Sequence, residues 1–142
     1  MEKTKDKSKD TKLQKKPNAF VYYTIGAAFS LMIKAQFNLH SKGVKPKGPA
    51  IILSNHTSNH AYKFIASAMW PRRITFVATY HWFTFKWLGF WLRLMGAIPK
   101  YQFATDMASM KKIRYTLDKN NGIVFIAPEG TVYAGGTLGF IS

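Results

Sequence analysis

Three short apolar runs, AIILS (50–54), ITFVAT (74–79) and IVFIA (123–127), recur along the sequence with helix-patterned stretches between them. Each run is too short for a core helix and rich in β-branched residues, so each reads as a buried strand. A helix is expected from His60 to Met69, ended by Pro71. FTFKWLGFWLRLMG (83–96) reads as a strongly apolar helix whose only charges are Lys86 and Arg93. AIP (97–99) is a short extended piece, and a further helix runs from about Asp106 to Lys119, stopped by Asn121-Gly122. Strand–helix alternation of this kind predicts an α/β fold with a largely parallel sheet flanked by helices. With 142 residues, 47% of them apolar, the chain suffices for one packed domain and not for two.

Two segments precede that domain. Residues 1–16 alternate Lys with Glu, Asp, Ser and Thr around one large apolar residue, Leu13. So little apolar surface cannot offset the ordering entropy, which predicts a solvated basic tail. No small-residue cleavage site marks it as a signal peptide. Residues 17–38 form a second unit, predicted as a membrane-associated helix. Within it, Ala19–Phe37 is uncharged except for Lys34. As one helix it would span about 28 Å at ~1.5 Å per residue, close to a hydrocarbon core. Tyr22, Tyr23, Thr24, Ser30 and Gln36 dilute it, so a buried amphipathic helix stays open beside insertion or interfacial lying. The lysines before it favour the cytoplasmic face of a membrane. The Gly/Pro-punctuated linker SKGVKPKGP (41–49) then opens the domain, taken as residues 39–142.

Charge narrows the chemistry. Lys and Arg number 21 against 6 Asp and Glu, a net charge of +15, so the surface seeks anions. There is no cysteine, which excludes disulfides, thiolate zinc sites and cysteine nucleophiles. Between Asp10 and Asp106 there is no carboxylate, so acid–base chemistry must draw on Asp106, Asp118, Glu129 or histidine. Asn55-His56 follows the AIILS strand, and Pro128-Glu129-Gly130-Thr131 follows IVFIA. Ligands of α/β sheets bind at the carboxyl ends of strands. A histidine there can take a proton from a hydroxyl near neutral pH. Two polar turns leaving adjacent strands would face one crevice.

GPAIILSNHTSNHAYKF, then GAIPK, then IVFIAPEGT, in that order, resemble the lysophosphatidic acid acyltransferase (1-acylglycerol-3-phosphate acyltransferase) family. The resemblance runs from about Leu39 to Ser142 and includes the upstream apolar helix. It implies a place in phospholipid biosynthesis: acyl transfer from acyl-CoA or acyl carrier protein, as co-substrate, to the free hydroxyl of a lysophospholipid. No cofactor or metal is implied. By matching positions, His56 would be the general base, with Asn55 beside it. Glu129, Gly130 and Thr131 would bind the glycerol phosphate. Lys100 stands where the family usually places an arginine on the phosphate, keeping the charge without the bidentate fork. The Phe83–Met95 helix is open to three readings: a wall of the acyl groove, an element dipping into the bilayer interface, or a plain core helix.

Three departures accompany the likeness. The aspartate expected five positions after the histidine is Ala61, the basic residue after Glu-Gly-Thr is Val132, and the family's further C-terminal elements are absent from this sequence. The aspartate accepts the imidazole N–H, fixes the tautomer and stabilises the imidazolium. Alanine does none of this, so an inactive or very slow enzyme is expected. A non-catalytic membrane-surface lysophospholipid binder is therefore the main alternative. His56 and His60 lack further ligands suited to zinc, and the aromatics are not interleaved with basic residues as nucleic-acid surfaces require.

Overall fold

The computed structural model describes residues 13–54, 61–102 and 104–128. Four strands, β1 (Ala50–Leu53), β2 (Ile74–Thr79), β3 (Ile98–Lys100) and β4 (Ile123–Ile126), form one sheet in the order β1-β4-β2-β3. All three pairings are parallel: Leu53 sits opposite Ile126, Phe76 opposite Phe125, and Thr79 opposite Lys100. Parallel neighbours need crossovers, and helices α3 (Ala61–Met69), α4 (Lys86–Leu94) and α5 (Met107–Asp118) lie in the three connections. The expected α/β architecture is the one observed, including a short third strand where only an extended AIP was read.

Alternation along the strands divides the two faces. Ile74, Ile123 and Phe125 form the buried core on one face, with Ala50, Ile52 and Phe76 beside them, and Ile65, Ala66 and Met69 of α3 cover it. On the other face α5 packs against β3 and β4. Its start is fixed by Asp106, whose Oδ1 accepts from the backbone N–H of Ala108 at 3.0 Å and of Ser109 at 3.1 Å.

The expected single helix over 83–96 is instead two elements. Tyr80–Phe83 forms a 3₁₀ turn, closed by Thr84, whose N–H and Oγ1 both donate to the His81 carbonyl. The chain extends at Phe85 before α4 begins. A glycine is required at position 89, because a Cβ there would lie 2.5 Å from the Phe83 carbonyl oxygen. α4 ends at Gly96 (φ +67), with Gly96 N–H bonded to the Arg93 carbonyl and Ala97 N–H to that of Leu92.

The N-terminal apolar stretch also divides. Helix α1 (Ala19–Tyr23) and helix α2 (Ile25–Phe37) are separated at Thr24, whose hydroxyl returns to the Phe20 carbonyl at 2.6 Å. The longer piece, 13 residues, spans about 20 Å. No described helix is long and apolar enough to cross a membrane. One side packs on the domain: Tyr22 and Ile33 are buried, and Ser30 Oγ lies 3.4 Å from the Ser67 carbonyl of α3. The Tyr22 hydroxyl donates to the Arg72 carbonyl at 2.7 Å, and burial pushes its pKa up to about 12. The described end of the basic tail is tied down too. Gln14 Nε2 donates to the Gly96 carbonyl at 2.7 Å, and Arg73 Nη1 donates to that of Pro17 at 2.9 Å. Lys15 and Lys16 remain exposed.

Candidate active site

Strand order places the site. β1 and β4 are neighbours with level carboxyl ends, and Ser54 N–H reaches the Ile126 carbonyl at 3.4 Å just beyond the last pair. The chain leaves β1 towards Asn55 and His56 and leaves β4 towards Glu129, Gly130 and Thr131. Those five residues lie outside the described ones, but their points of departure are adjacent. Two turns separated by more than 70 positions in sequence thus open from one sheet edge.

Lys100 closes β3 at the same edge. Thr79 pairs with Lys100 and stands three residues beyond Phe76, the partner of Phe125. Lys100 is therefore level with Pro128, one residue before Glu129. Two strand spacings separate β3 from β4, about 10 Å, and three separate it from β1, about 14 Å. Lys100 is half-buried, and the next side chain, Tyr101, stacks on Tyr80 with ring centroids 4.5 Å apart.

Ala61 is the first described residue of α3 and half-buried. Neither described carboxylate beyond position 100 compensates for it. Asp106 is committed to capping α5: Ser109 Oγ lies 2.5 Å from its Oδ2, and this hydrogen bond does most to hold its carboxyl below the usual aspartate range. Asp118 pairs with Arg114 at 3.2 Å at the end of α5, where the chain turns back towards the start of β4. That is the amino-terminal edge of the sheet, the wrong end for a histidine after β1.

A cavity of about 200 Å³ lies under α3, walled by Phe29 of α2, Tyr62 of α3, Phe76 of β2, Phe125 of β4 and Trp91 and Met95 of α4. Its lining is predominantly apolar. Two buried polar atoms at its wall, Ser67 Oγ and Trp70 Nε1, have no hydrogen-bond partner among the described residues. Lys63 adds a cation at the wall, its Nζ 5.8 Å from the Phe29 ring centroid and 5.9 Å from that of Tyr62. The sequence reading missed Ser67, Trp70 and the cavity itself. The available signal was the apolar spacing of Tyr62, Ile65, Ala66 and Met69 on α3. A larger polar cleft, about 400 Å³, lies at the opposite sheet edge among Lys16, Arg72, Arg73 and Asn120.

A parallel sheet with an apolar cavity beneath one of its covering helices defines the class: an α/β domain suited to a partly apolar ligand. A model of the acyltransferase family matches residues 36–141, and the chain belongs to that family. No curated protein and no solved structure gives a match.

Proposed function

We propose that this acyltransferase moves an acyl chain from acyl-CoA or acyl carrier protein to the free hydroxyl of a lysophospholipid such as lysophosphatidic acid, with turnover impaired by Ala61. The observation that supports this reading is the adjacency of β1 and β4, so that the segments carrying His56 and Glu129 leave neighbouring strands at the same end of the sheet. His56 takes the proton of the acceptor hydroxyl as its oxygen attacks the thioester carbonyl. The tetrahedral intermediate collapses with release of the thiol, to which the proton is returned, and the oxygen ester remains. Asn55, Glu129, Gly130 and Thr131 hold the acceptor, with Lys100 balancing its phosphate from the β3 side. The acyl chain lies in the cavity under α3, against Trp91 and Met95 of α4. The enzyme works at the cytoplasmic face of a membrane, with α1 and α2 at the lipid surface.

One specific observation favours a second reading, a membrane-surface protein that binds lysophospholipid without turning it over. Position 61 has no carboxylate, and the described acids are engaged elsewhere. Turnover separates the two. Ala61→Asp is expected to raise acyl transfer by orders of magnitude, since removing the orienting aspartate of a serine-protease triad costs on the order of 10⁴-fold, about 5.5 kcal/mol of barrier. His56→Ala in that background should abolish the gain. A silent Ala61→Asp in folded protein would remove His56 as the base.

A further inference from the structure

The outward side of α4 and the turn before it is unlike the rest of the surface. Trp82, Phe85, Trp87 and Phe90 are all exposed, Trp87 to 76% and Phe90 to 56%. They fall into two groups of ring contacts: Trp82 and Phe85, centroids 6.1 Å apart, and Trp87 and Phe90, each 5.9 Å from Trp91. Rings held against one another project as a ridge and lose little freedom when covered. A monomer seldom leaves so much contiguous aromatic surface in water without a use.

The helix supplies a second, independent pattern. Lys86 and Arg93 are seven positions apart and so lie on one side of α4. At ~100° per residue they flank the sector holding Phe90 and Trp87, while Gly89 and Leu92 turn towards Phe83 and the cavity. Both residues are exposed; the Arg93 guanidinium rests against Phe83, its Nη2 3.4 Å from the carbonyl oxygen and its Cζ 5.9 Å from the ring centroid, and neither cation is in an ion pair among the described residues. An apolar aromatic sector with a cationic shoulder suits a lipid–water boundary, where rings occupy the headgroup–acyl zone and Lys and Arg reach back to phosphates. A protein partner would meet the same ridge with carboxylates; the uncompensated charge of the whole chain favours an extended anionic sheet instead.

We propose that this ridge, Trp82–Phe90, is a docking surface for an anionic bilayer, and that it seats the back of the α4 cavity wall on the membrane. The proposal rests on the membrane location given above but not on acyl transfer. Lipid shed from the bilayer would then enter beside Trp91 and Leu88, which line the cavity from the same helix.

Vesicles of phosphatidylcholine with 30% phosphatidylglycerol (about 0.3 mole fraction, a usual anionic content) test it without any turnover. The full chain is expected to bind them with a blue shift of tryptophan emission and quenching by shallowly brominated lipid. Trp87→Ser/Phe90→Ser should lower partitioning roughly tenfold or more, as expected for removing two aromatic surfaces from lipid, with melting temperature unchanged. Met107→Ser/Met110→Ser on the exposed side of α5 serves as the matched control and should cost less. Equal partitioning of the ridge variant and the parent, or a larger loss in the α5 variant, would overturn the proposal. So would concentration-dependent dimerisation that Trp87→Ser/Phe90→Ser abolishes while vesicle binding persists, since the ridge would then be a protein interface. Failure of Ala61→Asp to turn over leaves all these readouts intact, so the two ideas fail separately.

Discussion

Ala61 and Lys100 are the two described residues on which the proposed chemistry turns, and each is informative through what its side chain lacks. Position 61 carries a methyl group where the resemblance places a carboxylate, so no charge faces the imidazole from there. Lys100 keeps the charge expected opposite a phosphate but presents a single ammonium. Lys100→Ala should weaken binding of lysophosphatidic acid by about tenfold, the scale of one charge-assisted hydrogen bond. It should leave a neutral monoacylglycerol almost unaffected. Equal loss for both ligands in a titration would show that Lys100 does not read the phosphate. Its half-burial at the end of β3 argues for a fixed rather than a solvated cation.

At the scale of elements, most of the sheet was legible and the helices were less so. β2 runs over the same residues, Ile74–Thr79, that the β-branched pattern marks. The sequence could not show that β4 inserts between β1 and β2, because strand order is decided by non-local packing. That insertion makes neighbours of the two strands that lead to His56 and Glu129, residues that themselves lie outside the described ones. The 83–96 stretch was misread as one helix because its apolar composition hides the break. The break comes from Thr84 closing the turn on His81 and from Phe83 being buried under Gly89. Thr24 likewise looked like a mere dilution of one helix, whereas it divides two.

Asp106 was a candidate for acid–base work, and its hydrogen bonds assign it to the start of α5. The capped carboxylate has its pKa lowered in the folded state, first by the Ser109 hydroxyl and then by backbone N–H groups. Its contribution to stability is present above the unfolded aspartate value, ~3.9, and is lost as pH falls through the lower folded value. Asp106→Ala should cost about 1 kcal/mol at pH 7, typical of an N-cap. The difference from the parent should shrink in acid. Denaturant melts at pH 7 and at about pH 3 check this, and a difference that grew in acid would contradict the assignment. Because the group is only half-buried, the pH dependence should be modest.

For the whole molecule, charge and apolar surface point to the same environment without being the same force. The +15 net charge attracts anionic lipid at about 1 kcal/mol per Lys or Arg near the surface. That attraction is screened: the Debye length falls from about 10 Å at 0.1 M salt to about 3 Å at 1 M. Under the proposed membrane location, exposed Phe20, Leu31 and Met32 on α1 and α2, and Trp87 and Phe90 on α4, would add attachment that salt does not weaken. With α1 and α2 lying at the lipid surface as proposed, the expected mode is interfacial. Binding to anionic vesicles should therefore fall with salt towards a plateau and not to zero. Neutral vesicles should start near that plateau and respond little to salt. In cell fractionation, a high-salt wash should release part of the protein and alkaline carbonate most of the remainder, because an interfacial helix has no spanning segment to hold it. Complete release by salt alone would leave electrostatics as the only attachment and remove α1, α2 and the α4 ridge from the lipid surface. Retention through carbonate would instead require a segment buried to bilayer depth.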